Sequence, residues 1–268
     1  MFYNLILFSV GKFENARKSI EWYRGGQQVE EVFEEVRKFV NDSKNLNFWT
    51  KIKMIREKAV SKATLLVVIL MALQQLCGFN NVLFFMQSIL EDAKVDVIEP
   101  SNIVNWVGLL GFLGSILSIF LIDRSGRKLL IIISSIGVMI SMVGLGAHFN
   151  FLDQLKDHPG LQYLPIVSLF LFDVAFFLGL MSVPNTVMSE IFPNSVKSIA
   201  SCIAALAGAL AAFLVTLFFH KSVDYFGYSN LFYLNACAAI IVVPYALFFM
   251  PETKGKTFQQ IQDKLLRK

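Results

Sequence analysis

Six stretches of this 268-residue sequence are nearly free of charge, and each is about as long as the 20 or so residues needed to cross a hydrocarbon core. They run at about 63–90, 101–122, 128–149, 163–190, 198–219 and 230–250. In lipid every backbone N–H and C=O has to be satisfied within the chain, so each stretch is predicted to be a helix. The first and fourth run long and hold polar residues, and the fourth also holds a proline. Irregular points there should face protein or water. Charged residues make up 16% of the chain, against roughly 25% in a soluble domain. They collect in residues 1–62, in the short loops and in the tail. The fold class that follows is an all-α polytopic membrane protein: a six-helix bundle at 63–250, a cytoplasmic segment at 1–62 and a cytoplasmic tail at 251–268.

Orientation follows from the basic residues. With residues 1–62 on the cytoplasmic side, inside segments carry 21 Lys and Arg and outside loops carry 3 (Lys94, Lys156, Lys221). Both termini are therefore predicted to be cytoplasmic. Residues 1–10 are apolar but too short to span, and they lack the basic region and cleavage site of a signal peptide. Residues 11–62 are polar, with Val29, Val32, Phe33, Val36 and Val40 at helical spacing. Short amphipathic helices lying on a surface are expected there.

Several function classes drop out. The net charge of +4 reflects membrane orientation, and no basic patch interleaves with aromatics, so no nucleic-acid partner is expected. Cys77, Cys202 and Cys237 lie in apolar stretches with no metal-ligand or disulfide spacing. His148, His158 and His220 fall near outer loops and are assigned no role. The spans carry no paired carboxylates, nucleophile–base set or metal cluster, so neither catalysis nor a metal or cofactor is expected.

Four amides, Gln74, Gln75, Asn80 and Asn81, sit where lipid would reject them. Each can both donate and accept, which suits a neutral polyol. They could equally hydrogen-bond a neighbouring helix. At roughly 100° per residue, Gln74, Gly78 and Asn81 share one stripe with Gln75 beside it, while Asn80 points elsewhere. At 123–128, DRSGRK joins two spans, with Gly126 suited to a tight turn and Arg124 and Arg127 able to fork to carboxylates. Asp173 lies deep in an apolar run, four residues before Phe177 and eight before Met181. A carboxylate there is costly.

Five segments in order carry a family resemblance: GKFENARKSIEWYRG (11–25), QQLCGFNNVLFF (74–85), DRSGRK, GLMSVPNTVMSEIFPNSVKS (179–198) and PETKGKTF (251–258). Together they resemble the C-terminal half, helices seven to twelve, of a sugar porter of the major facilitator superfamily, and within it the trehalose-type facilitators of insects. The resemblance implies sugar contacts at Gln74, Gln75 and Asn80, which requires the helix to distort near Gly78. Asn81 shares that segment, and Asn185 stands where the family has tryptophan. It also implies a cytoplasmic gate in which Asp123, Arg124 and Arg127 meet Glu190 and Glu252, with hinges at Gly78, Gly179 and Pro184.

The chain departs from the family pattern at Leu180, Met181, Ser182, Gly208 and Ala209, and Gly111 stands where a polar residue is usual. Asp173 lies on the family's pathway-facing stripe. Proton coupling is one reading of it, and structural pairing or a water-filled position is the other. The expected activity is facilitated, alternating-access passage of a small neutral sugar across a lipid bilayer, by family default the plasma membrane. Such a transporter needs two halves. An N-terminal half is expected in cis or on a partner chain, with truncation favoured over a genuine half-protein. The alternatives are a non-transporting sugar sensor, a degenerate half-transporter and a proton-coupled symporter.

Overall fold

The structure is a computed structural model that describes residues 13–24, 30, 33–34, 48–152, 159–193, 195–256, 260–261 and 264. It divides into two compact units, Met1–Arg56 with Pro193–Ile199, and Glu57–Phe192 with Ala200–Lys268.

In the first unit, α1 (Phe13–Arg24) carries Glu14 in its first turn, where a carboxylate complements the helix dipole. Arg17 pairs with Glu30 at 2.8 Å, both well exposed. A further short helix, α2, covers Phe48–Ile55. The amphipathic pattern on Val29, Val32, Val36 and Val40 lies outside the described residues.

The second unit holds all or most of six helical runs long and apolar enough to cross a membrane: Lys58–Asp92, Pro100–Ser125, Arg127–Asn150, Gly160–Ile191, Lys197–Leu217 and Phe219–Phe248. Their ends lie a few residues from the sequence expectation except in the last run. The first run is two helices, α3 (Lys58–Leu76) and α4 (Phe79–Asp92). Next comes α5 (Pro100–Ser125), which starts on a proline, a residue preorganised for a first helical turn. Gly126, at φ 85°, turns the chain into α6 (Arg127–Asn150).

A 3-10 turn (Pro159–Gln162) leads to α7 (Tyr163–Ala175), a π-helical turn (Phe176–Leu180) and α8 (Ser182–Ile191). The last two helices are α9 (Lys197–Leu217) and α10 (Phe219–Phe248). The stretch before residue 230, expected as loop, is helical as well. A break at Gly227 (φ 75°, ψ 159°) separates that short helical lead-in from the spanning part of α10.

Packing centres on α6, which lies against both α7 and α10. Val138, Met142 and Leu145 of α6 join Leu169, Phe176, Phe232 and Val242 in the fully buried core. The outward faces are just as apolar. Phe112 and Phe120 of α5, Leu206 of α9 and Phe248 of α10 are 60–69% exposed. A continuous greasy surface of that kind is tolerable in lipid and not in water.

Candidate functional site

The break between α3 and α4 sits at Gly78, whose φ of 88° suits glycine because a Cβ would be strained there. A Cβ at this position would also lie 2.6 Å from Asn235 Nδ2 of α10, so glycine is needed twice over. The consequence is local and chemical. Asn80 Nδ2 donates to Gln75 Oε1 at 2.9 Å, a pairing of residues five apart that a straight helix would not make. The distortion required near Gly78 is therefore present, and it brings Gln75 and Asn80 together, both half-buried.

Gln74 is buried, and among the described residues its Nε2 meets the weak acceptor Met181 Sδ at 3.7 Å. Asn185 is exposed and spends one donor on the Met181 carbonyl of its own chain segment at 3.0 Å. Asn81 departs from its expected place beside Gln74. It is 3% exposed and lines a cavity that includes none of Gln74, Gln75 and Asn80. The physical reason is that a left-handed residue re-aims the helix after it, so an ideal-helix stripe cannot be carried across Gly78.

The fourth run is irregular for a reason the sequence did not disclose. A π turn leaves backbone groups without their usual partners, and neighbouring serines supply them. Ser134 Oγ of α6 donates to the Ala175 carbonyl at 2.7 Å and accepts from Leu180 N–H at 2.9 Å. Ser118 Oγ of α5 donates to the Leu178 carbonyl at 2.8 Å, and Ser182 Oγ to the Phe177 carbonyl at 3.0 Å. Gly179 lies inside this turn and packs directly on the Leu130 backbone. Pro184 falls in the first turn of α8, where a missing N–H costs little. Phe176 stacks on Phe79 with ring centroids 4.2 Å apart, tying the π turn to α4.

Asp173 and Phe177, four residues apart, both lie against Gly111 of α5. Asp173 is 3% exposed, and its Oδ2 lies in the room left by the absent side chain of Gly111 on α5. That oxygen has no hydrogen-bond partner among the described residues.

The third cluster gathers at the α5–α6 turn. Arg127 Nη2 pairs with Glu190 Oε1 of α8 at 2.7 Å and reaches Asp123 Oδ1 at 3.4 Å, while its Nη1 donates to the Ile122 carbonyl at 3.1 Å. Glu252 takes a different part from the ion pair expected of it. Its two oxygens accept from the Arg127 and Lys128 backbone N–H groups, both at 3.1 Å, and so cap α6 from a remote part of the chain. Arg124 is exposed and contributes its carbonyl, which accepts from Lys254 Nζ.

Burial opposes ionisation of Glu252, but the Lys254, Lys128, Arg127 and Thr253 backbone N–H groups outweigh it and lower its pKa. With the folded-state pKa below the unfolded one, this stabilisation is complete above the usual carboxylate range. It is lost as the pH falls through the folded value. Glu252→Gln is expected to cost about 1 kcal/mol at neutral pH. Thermal unfolding of both forms in detergent should show the difference shrinking towards acid pH, and a pH-independent gap would contradict the capping role.

One structural residue went unassigned in the sequence. His148 is fully buried, and its ring nitrogens meet two carbonyls, Ala93 O at 2.9 Å and Leu161 O at 3.2 Å. It ties the end of α6 to two turns, and no spacing pattern pointed to it.

The sequence profile of the family described as "Sugar (and other) transporter" matches residues 6–265. A facilitated trehalose transporter of Aedes aegypti is 28% identical over 96% of this chain and 32% of its own length. One from Polypedilum vanderplanki is 29% identical over 96% of this chain and 51% of its own length. Among solved structures, a proton:xylose symporter of the major facilitator superfamily bound to 6-bromo-6-deoxy-D-glucose superposes with a TM-score of 0.75. It is 24% identical, over 98% of this chain and 54% of that one, so it bears on the fold alone. The chain thus spans a third to about half the length of these curated relatives.

Proposed function

Because the chain belongs to the sugar (and other) transporter family, we propose that it forms one six-helix half of a transporter that passes a neutral sugar by alternating access. The observation that carries this reading is the Gly78 break, which sets the Gln75 and Asn80 amides side by side, half-buried, within a membrane span. Broken helices presenting polar groups at mid-membrane are a common transporter device. The paired amides keep a spare donor and acceptor for sugar hydroxyls. Gln74, whose Nε2 contacts the weak acceptor Met181 Sδ, gives up little by exchanging it for a sugar hydroxyl.

A second six-helix half would close the site from the opposite side. The chain's 28–51% share of its relatives' length supports such a partner, in cis or as another chain. Both termini would then be cytoplasmic and the plasma membrane the host. No cofactor enters the cycle. Asp173, buried with Oδ2 unpartnered, supports a second reading in which sugar passage is coupled to protons.

Sugar counterflow in proteoliposomes, with trehalose tried first, tests the proposal on the chain with a six-helix N-terminal half restored. Saturable exchange is expected, with the half-saturating concentration raised about tenfold by Gln75→Ala or Asn80→Ala, the loss of one useful hydrogen bond. Binding without exchange would make the protein a sensor, and neither binding nor exchange would make it a degenerate half. Flux that ignores pH leaves facilitation, while accumulation driven by a proton gradient and lost in Asp173→Asn establishes coupling.

A further inference from the structure

His148 sits in the last turn of α6, at the opposite end of that helix from the Arg127 cluster, and is completely buried. Each of its ring nitrogens meets a carbonyl: Nε2 lies 2.9 Å from Ala93 O and Nδ1 3.2 Å from Leu161 O. A carbonyl can only accept. A neutral imidazole carries one N–H, so it bonds one of the two and turns the other nitrogen's lone pair towards an oxygen lone pair. Bulk water has no access to separate them, since the residue is 0% exposed. Only the doubly protonated ring donates to both carbonyls.

The surroundings fit a cation. Ala93 caps the C-terminal end of α4, where carbonyls lack helical partners and positive charge is favoured. The ionisable groups on the elements around the ring are Asp92, Lys94 and Asp96 around Ala93, Tyr163 at the start of α7, and Tyr228 and Tyr233 of α10. Asp92 accepts from the Tyr228 hydroxyl, and the Tyr233 hydroxyl accepts from Asn150 Nδ2. Among the described residues the ring's own hydrogen-bond partners are the two carbonyls.

Histidine is the side-chain type whose charge ordinarily changes between about pH 5 and 8. We propose that His148 is a proton-operated latch. With both nitrogens protonated it clamps two turns onto α6: the one that ends α4, and the 3-10 turn that leads into α7. As the pH rises and one proton leaves, the neutral ring keeps one clamp and releases the other. Because α4 follows the Gly78 break and α7 leads into the π turn, the latch holds the far ends of both irregular runs. It works without sugar and does not rest on the transport reading.

The test is amide hydrogen exchange of the full chain in detergent at about pH 5.5 and pH 8, with exposure times scaled to the intrinsic exchange rate. The peptides to follow cover residues 94–96 and 160–164. One of the two turns is expected to lose about tenfold in protection at the higher pH, the loss of one hydrogen bond. His148→Gln, whose side chain stays neutral, should exchange alike at both pH values. His158→Gln and His220→Gln should keep the wild-type response. The latch is overturned if neither turn of the wild-type chain responds to pH, a result that needs no variant to fold. A response that survives in His148→Gln, or that disappears with His158 or His220, overturns it too. Exchange needs no flux, so its failure leaves the transport reading to stand or fall by counterflow.

Discussion

Arg127→Ala is expected to shift the equilibrium between closed and open forms of the α5–α6 end by about a hundredfold, with a matching fall in sugar exchange. Arg127 has a side chain only 10% exposed and Glu190 one 27% exposed, so their 2.7 Å contact is poorly screened by water. Removing one partner of such a pair strands the other charge, at a cost of about 3 kcal/mol, taken from the low end of the range because Glu190 keeps some solvent. At about 1.4 kcal/mol per tenfold, that is two orders of magnitude. The Asp123 contact adds little, since Asp123 is 77% exposed and sits at 3.4 Å.

The measurement is the rate of cysteine cross-linking across the cytoplasmic ends, read together with counterflow. Arg127→Lys should recover part of the effect, because it keeps the charge but loses the fork that also reaches the Ile122 carbonyl. Exchanging the charges, Arg127→Glu with Glu190→Arg, should recover more than either single change. If Arg127→Ala leaves both cross-linking and exchange unchanged, the cluster is an anchor and not a gate.

The second large effect is expected at Gly179. A Cβ there would come 2.6 Å from the Leu130 carbonyl oxygen and 2.6 Å from Ser134 Cβ. The first of these is helix backbone and cannot turn aside, so α6 and the π turn would have to part. The same movement would pull Ser134 from the Ala175 and Leu180 backbone groups it satisfies. Overpacking of this kind costs about 1–3 kcal/mol, and the lost hydrogen bonds put Gly179→Ala near the top of that range. Gly108→Ala is the control, because nothing lies within 4 Å of its added Cβ and the change should be neutral or mildly stabilising. Thermal unfolding in detergent decides between them. Equal stability of the two variants would mean that α6 yields at Leu130.

Most of the candidate site's members were legible as residues. Amides in an apolar run, a glycine among them, and arginines at a short turn are chemically conspicuous in a span. Their geometry was less so. Gln75 and Asn80 were linked only by requiring a distortion at Gly78, and that distortion took Asn81 off the stripe it shares with Gln74 on an ideal helix. Glu252 looked like an ion-pair partner for an arginine side chain. It serves as a cap instead, because the open N–H groups at the start of α6 are the nearer donors. Ser118 and Ser134 drew no notice, since a serine in a membrane helix usually bonds its own backbone.

Hydropathy and charge spacing by themselves determined the class of the protein: six membrane helices and their ends to within a few residues, save for the lead-in to α10. The reason is that lipid offers no hydrogen bonds, so any apolar run of that length has one acceptable conformation. What only the tertiary structure decided are the exceptions to that conformation. The space a side chain at Gly78 would need is filled by Asn235, 157 positions further along the chain. The π turn is sustained by serines of α5 and α6, and Asp173 occupies the space above Gly111. Each depends on atoms that local sequence does not bring together, since a strained backbone persists only where a distant neighbour pairs its freed groups or fills the space beside it.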